Sequence, residues 1–115
     1  MWKFALITAL SLIAAPTFAQ QQQGTASYYG SGKRGHALTK SGEPVNPNSN
    51  NAASPNLPLG SRATVTNLKT GKSEDVRIND RGPARKGRVI DVSRKTAHDL
   101  GMKKSGLAPV TVQPK

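Results

Sequence analysis

Residues 62–80 carry the clearest pattern of apolar and polar positions. In RATVTNL, Ala63 and Val65 alternate with Arg62, Thr64 and Thr66. In EDVRIND, Val76 and Ile78 share one face and Arg77 and Asn79 the other. A period of two predicts two half-buried strands. Lys69, Thr70, Gly71 and Lys72 lie between them, and Gly71 suits the positive-φ position of a tight hairpin. GRVIDVS (87–93) repeats the alternation, with Ile90 and Val92 on one face. GTASYYG (24–30) reads as another strand, setting Ala26 and Tyr28 against Ser27 and Tyr29. A last strand is expected at 107–112, LAPVTV. Ser93 can cap a short helix, RKTAHDL, with Thr96, Ala97 and Leu100 on one side and Gly101 at its end.

Residues 31–60 hold neither period; Gly, Pro, Asn and Ser crowd them. So long a loop in a small domain is either functional or carries short pieces of hidden structure. Several short strands separated by turn signals, plus one short helix, predict a small, mainly β barrel.

The N-terminus is of a different kind. Lys3 precedes an apolar run over residues 4–15, and Thr17-Phe18-Ala19 offers small residues where a signal peptidase reads. This predicts a cleavable signal peptide at 1–19, too short and wrongly flanked to span a membrane. Residues 20–23 are then a polar tether, expected to be disordered, and 24–113 a single domain. With no cysteine there is no disulfide and no thiol to carry a lipid. The expected product is exported, to the periplasm or the extracellular space, without stable membrane insertion, and monomeric.

The whole chain carries a formal charge of +11, and the expected signal removes only Lys3 from that balance. So basic a protein is drawn to polyanions. Nucleic acid is the usual first thought, but an exported protein meets wall carboxylates, phosphates and acidic polysaccharides instead. A solvated basic surface with no specific partner is the plainer reading.

Against this excess of cations, Asp80 lies in RINDRGP between Arg77 and Arg81. It shares the parity of Val76 and Ile78, so it should leave its strand on the core side, at a barrel mouth, where Gly82-Pro83 bends the chain away. Shielding from water would raise its pKa and a nearby Arg81 would lower it. Two readings stay open: a hydrogen-bonded turn former, the commoner role of Asp in such a turn, or an acid kept for proton transfer. Glu43 is the one acid of the long loop. Asp91 alternates against Ile90 and Val92 and reads as a surface acid or an arginine partner. Glu74 and Asp75 are expected to balance Lys69 and Lys72. His36 and His98 lack metal-ligand spacing, so no metal or other cofactor is expected. No phosphate-binding glycine loop and no nucleophile elbow is present.

Taken in order, GTASYYG, Thr39 with Ser41-Gly42-Glu43, LPLG (57–60), VTNLKTGK (65–72), VRINDRGP (76–83), GRVIDVS (87–93) and Ala97 with Leu100-Gly101 closely resemble the RlpA-like (rare lipoprotein A) family of septal-ring lytic transglycosylases. The resemblance spans roughly residues 24–112. It implies a six-stranded double-psi β-barrel with one or two short helices, related to expansins. It also implies cleavage of peptidoglycan glycan strands, preferably those lacking stem peptides. By position it makes Asp80 the catalytic aspartate and Glu43 the functional glutamate, and it puts Tyr29, Thr39, Ser54 and Arg81 near the substrate. The family often has a histidine where Ser54 stands and a tryptophan where Tyr28 stands. A non-catalytic, expansin-like protein that binds or loosens wall polysaccharide is therefore the alternative expectation.

Overall fold

A computed structural model describes residues 20–29 and 38–115. The expected signal segment lies outside them. The chain forms six strands and one helix: β1 (Gln22–Tyr28), β2 (Asn51–Ser54), β3 (Arg62–Asn67), β4 (Ser73–Arg81), β5 (Arg88–Val92), α1 (Arg94–Asp99) and β6 (Leu107–Pro114). The strands close into a barrel in the order β1-β5-β2-β4-β3-β6. This is the six-stranded double-psi barrel, and β1–β5 and β2–β4 are its parallel pairs.

The alternating positions behave as the pattern requires. Ala63, Val65, Val76, Ile78, Ile90, Val92, Val110 and Val112 are fully buried together. Their small, branched side chains suit the narrow interior of a six-stranded barrel. The β3–β4 hairpin closes with Gly71 at φ 78° and its amide donating to the Asn67 carbonyl at 2.7 Å. Asn67 is buried, and its Nδ2 donates to the Leu100 carbonyl at 2.8 Å, tying the hairpin to the end of α1. Ser93 caps α1 by accepting from the Thr96 amide at 3.2 Å.

Two boundaries differ from expectation. β1 opens at Gln22, so Gln22 and Gln23, half of the expected tether, pair with Val112 and Thr111 of β6. β6 likewise runs on to Pro114, where Ala63 is its partner. The six strands and their core are thus complete within residues 22–114. The long loop also hides β2, whose four residues, Asn51-Ala52-Ala53-Ser54, are too short and too small-chained to display a period.

Both parallel pairs contain the same irregularity. On β1–β5 the register steps from Thr25↔Arg88 to Ala26↔Ile90, passing over Val89. On β2–β4 it steps from Ala52↔Ile78 to Ala53↔Asp80, passing over Asn79. Each is a β-bulge, which reverses the side-chain parity of everything beyond it.

The start of β1 is closely packed against β5. A Cβ on Gly24 would sit 2.9 Å from the Gly87 carbonyl oxygen and closer still to the Val89 side chain. That same carbonyl accepts the Thr25 amide at 3.0 Å. Gly24→Ala is therefore expected to destabilise the barrel by about 1–3 kcal/mol, the usual cost of overpacking. The measurement is the urea midpoint of residues 20–115; an unchanged midpoint would mean that β1 can shift away from β5 at no cost.

Candidate active site

The bulge in β4 decides where Asp80 points. Ile78 and Asn79 are both buried, and Asp80 is only half-buried. Ala53, its partner on β2, pairs on its other side with Asp91 of β5, and Asp91 pairs with Ser27 of β1. Paired residues on neighbouring strands share a face. Ala53 is buried but stands outside the core cluster that contains Ala52. Simple parity placed Asp80 on the core side. Because of the bulge it instead lies outside the barrel, in one row with Ala53, Asp91 and Ser27.

This row floors an open groove of about 390 Å³, lined among others by Tyr29, Ala53, Asp80, Gly82, Pro83 and Asp91. Three groups hold the Asp80 carboxylate. The Lys40 and Arg81 amides donate to Oδ1 at 3.0 and 2.9 Å, and the Tyr29 hydroxyl donates to Oδ2 at 3.2 Å. The Ser27 hydroxyl donates to Asp91 Oδ1 at 3.2 Å. Asp80 and Asp91 flank Ala53 two strands apart, roughly 10 Å between Cα atoms at ordinary strand spacing. The methyl side chain of Ala53 leaves the space between the two carboxylates open.

Glu43 belongs to a neighbouring structure. Residues 39–43 form a tight turn, closed by the Thr39 amide and hydroxyl, both donating to the Glu43 carbonyl at 2.8 Å. The Ser41 amide clips the turn to the Asn79 carbonyl at 3.1 Å. The Glu43 carboxylate accepts from Arg77 Nη1 at 2.7 Å, Ser41 Oγ at 3.0 Å and Asn79 Nδ2 at 3.3 Å. The Arg77 bond, helped by those from Ser41 and Asn79, holds its pKa below the ordinary glutamate value. Glu43 and Arg77 line a second depression of about 470 Å³, with Val45, Asn46 and Asn51. Asp80 and Glu43 thus bind adjoining parts of one turn but line different hollows.

Residues 21–112 match the sequence model of a family described as "Lytic transglycolase". A Nostoc sp. protein named probable endolytic peptidoglycan transglycosylase RlpA is 52% identical over 93 residues, covering 79% of this chain and 25% of the relative. The Vibrio cholerae endolytic peptidoglycan transglycosylase RlpA is 44% identical over 92 residues, covering 80% and 35%.

The chain belongs to this lytic transglycolase family.

It spans between a quarter and about a third of the length of these relatives. A mutant Clavibacter michiganensis expansin, solved with cellohexaose, shares the fold at a TM-score of 0.64 and 18% identity, covering 84% of this chain and 50% of that one.

The positions that the RlpA-like resemblance singled out fall into two groups. Tyr29 and Asp80 meet in the groove, and the Arg81 amide and the groove-lining part of Arg81 lie beside them. Thr39 and Ser54 are buried within turns. Ser54 Oγ accepts from the Leu57 and Asn56 amides at 2.8 and 3.2 Å, so the residue standing where the family often has histidine shapes the β2–β3 loop. The Arg81 guanidinium donates to the Ser54 carbonyl at 3.1 Å and to the Leu57 carbonyl, clamping the same loop. Tyr28 turns the other way, packs against the core and donates to the Lys103 carbonyl at 3.1 Å.

Asp91 is the groove residue that sequence reasoning set aside. Its alternation with Ile90 and Val92 puts it on the outer face, where Ser27 donates to it, and the bulge puts Asp80 on the same face. The signal lay in the Ser27 and Tyr29 face of β1, since Ser27 donates to Asp91 and Tyr29 to Asp80.

The Glu43–Arg77 pair has a pH signature. A carboxylate with a depressed folded pKa contributes stability above the ordinary glutamate value and loses it as pH falls through the lowered one. Arg77→Gln should move the Glu43 titration up toward the ordinary value, followed by carboxyl-carbon NMR. The acid limb of unfolding should move up with it. A Glu43 midpoint unmoved by the substitution would mean that Ser41 and Asn79 suffice to hold it.

Proposed function

We propose that the chain is an exported lytic transglycosylase. It cuts peptidoglycan glycan strands, preferring those without stem peptides, and leaves 1,6-anhydro-N-acetylmuramic acid ends. The observation that carries this reading is the presentation of Asp80 in an open groove, gripped by two backbone amides and a tyrosine hydroxyl. The names of the relatives supply the substrate class, and the pattern of residues 1–19 supplies export.

In this mechanism Asp80 gives a proton from Oδ2, the oxygen not held by the two amides, to the glycosidic oxygen as the C1–O bond breaks. The C6 hydroxyl of the same muramic acid residue attacks C1. It forms the internal ether and returns its proton to the Asp80 carboxylate, which restores the acid. No water is activated, so the close pair of carboxylates that hydrolases use is not required. Asp91, across Ala53, faces the positive charge that develops at the anomeric carbon. Glu43 acts as a positioning residue: with Arg77 and Asn79 it fixes the turn whose Lys40 amide aims Asp80.

The second reading, a wall-binding protein that does not cut, draws on the fold shared with the cellohexaose-bound expansin and on the burial of Ser54. One assay separates the two. Residues 20–115 are incubated with denuded glycan strands and the products weighed by mass spectrometry. Anhydro ends, lighter by one water than hydrolytic ends, mark transglycosylation; binding without soluble fragments marks the second reading. Asp80→Asn is expected to lower turnover by about 10²–10⁴-fold, the usual worth of a general acid–base group, with strand binding retained. Turnover at the wild-type rate would remove Asp80 from the mechanism.

A further inference from the structure

The surface around the β3–β4 turn is built for a different contact. β3 runs antiparallel to β4, with Thr66 opposite Ser73, so the β3–β4 turn lies at the start of β4 and Asp80 near its end. The seven intervening steps put the two ends roughly 23 Å apart along the strand. At the turn end is a depression of about 380 Å³, lined by Asn67, Lys69, Thr70, Gly101, Lys104 and Leu107 among others. Lys72 reaches over Gly101, its Nζ 3.9 Å from where a Cβ there would sit. Lys103 precedes Lys104 in the chain and is exposed beside the depression.

None of the side chains of Lys69, Lys72, Lys103 and Lys104 has a hydrogen bond or ion pair among the described residues. The acids expected to balance the hairpin lysines are engaged elsewhere. Glu74 accepts from Asn50 Nδ2 at 3.1 Å, and Asp75 accepts from Lys115 at 2.7 Å and Thr64 at 2.7 Å. Asp99, beside the end of α1, is held by Lys95 at 2.8 Å. Two large apolar side chains stand among these cations: Leu68 is 48% exposed and Leu107 44%. The Leu68 amide donates to the Pro109 carbonyl at 2.8 Å, which brings the hairpin tip against the start of β6, and Leu107 lines the depression with Lys69 and Lys104.

We propose that this lysine pole docks the protein on an anionic phospholipid surface. Four unpaired lysines suit a layer of negative headgroups. Two exposed leucines beside them suit the boundary between headgroups and acyl chains. A soluble polyanion would use the lysines and leave the leucines without a role. The contact is peripheral and buries only side chains, without insertion of any strand or helix.

Residues 20–115 are sedimented with vesicles of phosphatidylglycerol and phosphatidylcholine, with phosphatidylcholine alone as reference, at low and high salt. Binding is expected to the anionic vesicles only and to weaken with salt. Replacing Lys69, Lys72, Lys103 and Lys104 together by Gln should lower partitioning more than about tenfold. Leu68→Ser with Leu107→Ser should lower it several-fold while leaving retention on soluble polyphosphate unchanged. Exchanging Arg85 and Lys86 for Gln should cost less than exchanging Lys69 and Lys104. Circular dichroism of each variant, and undiminished cleavage or binding of soluble glycan strands, establish that the fold and groove are intact. The proposal is overturned if the lysine variant partitions like the wild type. It is equally overturned if the two charge pairs are equivalent, or if the leucine variant binds vesicles undiminished, since the pole would then be a site for soluble polyanions.

Discussion

Between Ala52 and Ala53 on β2, β4 advances two residues instead of one. The additional residue, Asn79, is buried beneath the turn at residues 39–43, which its side-chain amide and its carbonyl hold. Beyond that point the side chains of β4 exchange faces. The groove depends on this step. Without it Asp80 would enter an interior packed with valine and isoleucine, where its charge would be costly. The groove would then keep Asp91 without Asp80. The matching step at Val89 on the β1–β5 pair gives the barrel the same irregularity twice, once in each parallel pair.

The regular part of the barrel was legible because its strands are half-buried. Ala63 and Val65, Val76 and Ile78, and Ile90 and Val92 each repeat at the strand period, and Gly71 marks the hairpin between two of them. β2 was illegible for the opposite reason. Its central alanines are buried on both faces, so burial leaves no polar position to create a period. The bulge was invisible as well. Ile78 and Asn79 are buried side by side, and a parity argument assumes that consecutive residues never are. The identity of Asp80 as a candidate came from the ordered motifs around it, and its orientation from the pairing of strands distant in sequence.

Glu43 and Ser54 show how a position can matter without touching the groove. Glu43 joins Arg77, Ser41 and Asn79 beneath a turn that delivers an amide to Asp80. Ser54 closes the β2–β3 loop from inside, and the Arg81 guanidinium grips the carbonyls of that same loop. Both shape the walls of the site from behind. The serine is small and fully buried, and its hydroxyl oxygen accepts the Asn56 and Leu57 amides that close the loop.

Two of the three donors on Asp80 are main-chain amides, from Lys40 and Arg81. The aim of the carboxylate is therefore written in the path of the chain and not in the identity of its neighbours. The Lys40 side chain can be exchanged while the acid keeps its bearing, whereas the Arg81 side chain is held by its grip on the β2–β3 loop. The freedom ends at the glycine after Arg81, whose φ of 119° no other residue adopts without strain. In this fold, diversification of what the groove holds is cheap, and relocation of what acts within it is not.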